Sequence, residues 1–497
     1  MSQNTAAKKK DSVWSPAVVA VAIICAVVLI ATVALAIVAS TGYFRRNTVV
    51  MEVGDHKINQ IEYEYYYAAQ YQNWYYYVYS INIKTTICYI DSTVTWHEYF
   101  VREAKEAIVN DYVMSDKATE LGFTLTEASQ KTLADLPTTL TADAESYDMT
   151  VDEYLSTIYC KNMTLDLYME YVSRNQLAAD FAEDYYNNTL KSEFTTDEAV
   201  EAAINKYYEE NKKDFDIVEY YFYDIVATSG KTITDIKAEF EGLSGEDLEQ
   251  LFKDKIKELN PDKVEEGKEF SYTNYHKEDV SYSDTDEFSK WLFDAEKIAD
   301  KSIAIYTTPA SGSTAEKYTA VYMVYRGKDM SKVATMRHIL FQALEKLDAD
   351  GNVVKDEKGN AVLDMDAAKA EAEKILAEFN SGDKSEDAFI AFVEANTDDA
   401  ASKYTGGLYE DFNEGYMTEG IDEWIFPADD EKQPAVGDVA NLKSEYGYHL
   451  VYFLGYKDAW HVEVENTMKQ ERYDAAKEEW TKAATIVYHE DVLAKIG

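Results

Sequence analysis

From Ala17 to Ala39 the chain holds only small and apolar residues apart from Thr32, with no charge and no proline. A helix of this length, rising about 1.5 Å per residue, spans the roughly 30 Å hydrocarbon core of a bilayer. Few other environments accept such a segment. Lys8, Lys9 and Lys10 precede it, and Arg45 and Arg46 follow. The larger positive cluster is N-terminal, so residues 1–16 are expected in the cytoplasm, 17–39 in the membrane and the rest outside. A cleaved signal peptide is the rival reading, but its apolar core is shorter than this run. Cys25 lies inside the run. Ala22-Ile23-Ile24 lacks the small residue expected before a lipidated cysteine, so Cys25 reads as a membrane-buried thiol.

The other bulk properties narrow the class. A chain of 497 residues predicts two to four domains. A formal charge of −44 argues against nucleic-acid binding and favours a solvated acidic surface. The 41 tyrosines suit adaptable contact surfaces as well as cores. Cys88 and Cys160 have the option of pairing in an oxidising space, and spacing alone leaves this open. No C-x-x-C and no Cys/His cluster occurs, so zinc is not expected; no cofactor is expected for the chain.

Beyond the apolar run, Val49 to Ile58 reads as a strand, a turn at Gly54-Asp55 and the entry to a helix. Tyr63 to Tyr79 is an aromatic helix. Thr95 is placed to cap a second helix, with Glu98 as its capping-box partner. Gly122 stops that helix, and apolar spacing at helical period continues to about Lys212. Further on, two histidines each open a short apolar strand, His338 in Arg337-His338-Ile339-Leu340-Phe341 and His449 in Tyr448-His449-Leu450-Val451. Between them lie a helix from Asp366 to Phe379 with Gly382 as its stop, the pair Gly406-Gly407, and Gly415-Tyr416-Met417.

This window resembles the parvulin family of peptidyl-prolyl isomerases. The preceding strand-turn-helix, the Thr95-Trp96 helix start and the Gly122-Phe123-Thr124-Leu125 step resemble the N-terminal region of SurA- and PrsA-type extracytoplasmic foldases. The resemblance implies an α+β protein: the transmembrane helix, an α-helical chaperone domain at 47–215 completed by 459–497, and two parvulin-like units. The first unit, 216–330, is degenerate, and 331–458 is the isomerase-like one. The repeat is carried by Trp291 and Phe293 against Trp424 and Phe426, and by Tyr318 to Gly327 against Tyr446 to Gly455. On that alignment Asp224 and Val321 stand where the second unit has its histidines.

The resemblance further implies a hydrogen-bonded imidazole pair, His338 and His449, with Asp399 (or Asp398) beside it as catalytic residues. Met417, Phe426, Tyr409, Ile421 and Tyr446 are the implied substrate-binding residues. The turn after the glycine pair, Leu408-Tyr409-Glu410-Asp411-Phe412, departs from the family's Asp-Leu-Gly-Trp-Phe. An insert from Asp348 to Asp364 fails as a calcium loop, because Val353 takes the glycine position, and reads as a hairpin insertion. Thr467 to Ala484 is helical and Ile486-Val487-Tyr488 strand-like. The expected function is a membrane-anchored foldase that binds unfolded or nascent secreted polypeptides and isomerises Xaa-Pro bonds. The alternative is a holdase, or a surface assembly protein, on an inactive parvulin scaffold.

Overall fold

A computed structural model describes residues 16–226, 230, 232–264 and 267–496. The expected cytoplasmic segment falls almost wholly on residues 1–15, outside the described ones. Two compact units emerge: one runs up to Thr189 and resumes at Glu471, and the other is Leu190–Gln470.

In the first unit the apolar run lies within one helix, Pro16–Ser40. The side chains of 16–24, 26, 35 and 37 are outside the described set. Val27, Val28, Leu29 and Ile30 are each more than half exposed. Among the described residues no helix is long and apolar enough to cross a membrane. Strands β1 (Val49–Val53) and β2 (His56–Asn59) form a hairpin, turned at Gly54 with φ +57°. The third strand of this sheet comes from the far end of the sequence, Ile486–Tyr488, which pairs antiparallel with β1.

Helix Gln60–Asn73 is capped by Asn59 and breaks at Trp74. Thr95 caps helix Trp96–Glu120, with Glu98 returning to the Thr95 backbone. Val53, Ile58, Ile61, Ile108, Leu155 and Tyr171 are among the core residues, packed where these elements meet. Cys88 and Cys160 are buried, free, and in separate apolar clusters, so the open disulfide is not formed.

The second unit holds two four-stranded antiparallel sheets. The first comprises β3 (Asp216–Val226), β4 (His276–Ser281), β5 (Ser302–Thr308) and β6 (Lys317–Lys328), in the order β4-β3-β6-β5. The second comprises β7 (Lys332–Gln342), β8 (Leu408–Phe412), β9 (Val439–Lys443) and β10 (Gly447–Asp458), in the order β8-β7-β10-β9. Strand for strand the orders match. In each, two α-helices follow the first strand and one follows the second. The strand that completes the set, Ile486–Tyr488 of the first unit, is β11.

Each central pair of strands carries one bulge, between Met336/Phe453 and Thr335/Gly455 in the second sheet and between Tyr220/Met323 and Glu219/Tyr325 in the first. Matching these bulges also matches the strand ends, Lys332↔Asp458 with Asp216↔Lys328. His338 then corresponds to Phe222 and His449 to Thr319. The sequence alignment through Asp224 and Val321 is therefore displaced by two residues on each strand. A two-residue shift keeps every side chain on its own face of the sheet. An aromatic pattern of period two cannot detect it. Val321 belongs to the apolar core, and Asp224 binds Thr319 Oγ1 (2.6 Å) and Lys317 (3.0 Å). Neither histidine position of the first sheet holds an imidazole.

After β7 the insert winds through two like turns. Asp348 accepts the N–H groups of Asp350 and Asn352, and Asp356 those of Lys358 and Asn360. Asp364 repeats the role by capping helix Met365–Ser381.

Candidate active site

Alternation along the two central strands decides where the histidines go. Ile339, Phe341, Leu450 and Tyr452 face helices Met365–Ser381 and Glu386–Asn396. Met336, Val451 and Phe453 face the other way, onto helix Glu419–Ile425. His338 and His449 share this second face by period. His338 lies opposite Val451, and His449 opposite Leu340. Both are 4% exposed.

Their Nδ1 atoms lie 3.1 Å apart, and the rings are near parallel at 13°. His338 Nε2 is 2.9 Å from Asp399 Oδ2, and His449 Nε2 is 2.7 Å from Ser444 Oγ. A carboxylate only accepts, so Nε2 of His338 carries a proton. In the neutral ring Nδ1 of His338 is then the acceptor, and Nδ1–H of His449 donates to it. That leaves Nε2 of His449 to accept the Ser444 hydroxyl. One row of donors thus runs from Ser444 through both imidazoles to Asp399. Ser402 donates to the same carboxylate oxygen at 2.5 Å and Tyr409 at 3.3 Å.

Electrostatics keep the rings uncharged. Burial drives the pKa of His449 down to about 4, and the neighbouring His338 adds to the effect. Burial also lowers that of His338, against the pull of Asp399. Burial pushes Asp399 upward, but hydrogen bonds from Ser402, His338 and the Ala401 N–H outweigh it and hold the carboxyl at about 2.

The glycine pair borders His338 along the edge of β7. Gly406 and Gly407 have φ of +65° and +71°, and the Gly407 carbonyl accepts the His338 N–H at 2.9 Å. Arg337 donates to the carbonyls of Thr405 and Gly406 and pairs with Glu386.

Of the expected residues, the structure brings together His338, His449, Asp399 and Tyr409, whose ring stands edge-on to His338 at 5.1 Å. Asp398 instead accepts the Gln342 N–H, so Asp399 is the carboxylate facing the histidines. Met417 is half-buried on the Met336–Val451 cluster. Ile421 is fully buried there, because helix Glu419–Ile425 turns Ile421 and Ile425 inward; it offers no surface to a bound proline ring. Phe426 packs on the same cluster as Met417 and also lines a second cleft, beside Asp329 and Lys332. Tyr446 is 52% exposed and reaches the network only through its N–H on Ser444 Oγ. A cavity of ≈420 Å³ lies against Ser444, Thr418, Gly420 and Lys443. Ser402 and Ser444 were not legible as site residues. Their one signal is position, three residues after Asp399 and five before His449.

The PPIC-type PPIASE domain model matches residues 320–456. No curated protein matches the chain. Among solved structures, the peptidylprolyl isomerase PrsA of Bacillus anthracis is 18% identical, over 31% of this chain and 59% of that one, with a TM-score of 0.18. PrsA of Bacillus subtilis is 14% identical, over 66% and 88%, with a TM-score of 0.19. A SurA-like chaperone of Campylobacter jejuni is 18% identical, over 31% and 53%, with a TM-score of 0.18. This chain thus spans less than two thirds of the Bacillus anthracis and Campylobacter jejuni proteins. Over residues 320–456 it is similar to the parvulin-type, or PPIC-type, peptidyl-prolyl isomerases.

Proposed function

We propose that the chain is a membrane-anchored extracytoplasmic foldase whose second sheet isomerises Xaa-Pro bonds. The single observation that supports this most is the buried row Ser444–His449–His338–Asp399. Turning an Xaa-Pro bond means twisting a partial double bond against about 18–20 kcal/mol, and uncatalysed it takes roughly tens to hundreds of seconds. No covalent intermediate is needed. The twisted amide carries less charge on its carbonyl oxygen than the planar one, so a dry, uncharged floor favours it. Two neutral imidazoles held away from water make such a floor. Only contacts that improve in the twisted state speed the step. His338, His449 and Asp399 take the catalytic roles, and Tyr409 and Met417 supply the nearest apolar wall.

The anchor reading rests on the charge-free helix Pro16–Ser40 and the exposed Val27 to Ile30 within it. A holding role for the helical region, the domain given by 47–215 with 459–497, has support of its own. Tyr75, Tyr76, Tyr77, Tyr79 and Tyr89 are all 48% exposed or more, on a short stretch with Ile87 and Ile90. Exposed apolar clusters of this kind mark interaction surfaces. Refolding of a proline-limited client separates the two activities. Faster folding that His338→Ala and His449→Ala abolish supports the isomerase. Suppressed aggregation with no effect on the proline-limited phase selects the holdase.

A further inference from the structure

A cavity of ≈590 Å³ opens where β4, the β6–β7 turn, the turn after β8 and the segment after helix Glu419–Ile425 converge. Its apolar side is Phe426, Pro427 and Ala428, and its rim carries Asp279, Asp329 and Glu414. Among the described residues no lysine, arginine or histidine forms an ion pair with these three carboxylates. Lys332, the one cation on the wall, is already paired with Asp458. Asp279 responds to its surroundings: burial raises its carboxyl most, and the charges of Asp329 and Glu278 add to this; Asp329 also raises Glu463, after burial. Like charges gathered around a cleft destabilise a fold unless something neutralises them. A shared metal ion does not fit. Among the described residues, metal-binding atoms gather within 4.8 Å of one another only at Glu219, His276 and Glu278. Asp279, Asp329 and Glu414 do not gather within that distance.

We propose that this cleft binds an extended polypeptide through one lysine or arginine side chain, with the aliphatic stem on Phe426 and Pro427 and the charged head among Asp279, Asp329 and Glu414. Apolar contact along the stem and charge at the tip are the two needs of such a side chain, and the cleft meets both. Ser331 and Asn413 add polar groups to the wall for the peptide backbone. The contact requires no chemistry at the histidines, so it stands or falls separately from isomerase activity.

The test is fluorescence anisotropy of the full chain with a labelled, proline-free decapeptide carrying one central arginine, beside its glutamine and glutamate versions. Tighter binding of the arginine peptide at low salt is expected, with the preference fading by 0.5 M salt as charges are screened. In Asp329→Asn/Glu414→Gln the preference should fall about tenfold, with glutamine-peptide binding unchanged. The melting temperature of this variant should hold or rise, because repulsion is relieved. Turnover of a short proline peptide should stay at the wild-type value. Equal affinity for the arginine and glutamine peptides would overturn the proposal. So would an unaltered preference in the double variant, or a loss of prolyl turnover in step with the loss of binding.

Discussion

Gly407 lies beside His338, continuing the β7–β8 ladder. Its carbonyl accepts the His338 N–H, and a Cβ built on Gly407 falls 2.2 Å from the His338 carbonyl oxygen. The position also has φ +71°, where only glycine is free of strain. Gly407→Ala should therefore push β7 away at His338 and open the Nδ1–Nδ1 contact. We expect prolyl turnover to fall at least tenfold, with a loss of about 2–3 kcal/mol in stability. Turnover within a factor of two of wild type would show that the glycine does not set the histidine.

Ser444→Ala removes the hydroxyl that donates to His449 and the acceptor of the Tyr446 N–H. A buried hydrogen bond of this kind contributes roughly 1 kcal/mol. Turnover should drop several-fold, and Ser444→Thr should recover most of it. Recovery would assign the effect to the hydroxyl rather than to the loss of side-chain volume.

Acid should destabilise the second sheet in two steps. His449 titrates near 6.5 when unfolded and at about 4 when folded. Between those values the unfolded chain binds the extra proton, so stability is complete above pH 6.5 and lost as pH falls toward 4. The loss is on the order of 3 kcal/mol. Asp399, held at about 2, loses its contribution between 3.8 and 2. Urea denaturation of the wild type and His449→Gln from pH 7.5 to 4.5 tests the first step. The wild-type midpoint should fall more steeply than that of the variant, and parallel curves would refute the assignment.

The −44 charge should also shape substrate choice. At low ionic strength a Lys-Pro peptide should turn over faster than a Glu-Pro peptide, and the gap should close in high salt. Faster turnover of Glu-Pro at low salt would contradict this.

The histidine strands, the Thr95 cap and the Gly406-Gly407 turn were legible because each depends on local chemistry that sequence displays. The register of the repeat was not. Phe222 and Thr319, rather than Asp224 and Val321, stand at the histidine positions of the first sheet, and only the two bulges fix that. Ile421 was misplaced because its helix buries one face, and no spacing rule distinguishes a pocket wall from a core at that distance. Ser402 became visible only when the chain between Asp399 and Gly407 closed on itself, through the Gly407 N–H bonding the Ser402 carbonyl at 2.8 Å.

The most direct measurement is exchange NMR on a short Xaa-Pro peptide at equilibrium, with catalytic amounts of the full chain. Catalysis at the histidine pair should make cis/trans exchange faster than the uncatalysed process, which takes roughly tens to hundreds of seconds. Both His338→Ala and His449→Ala should return exchange to the uncatalysed rate. Exchange at the uncatalysed rate with wild-type protein, or acceleration that survives both substitutions, would contradict it.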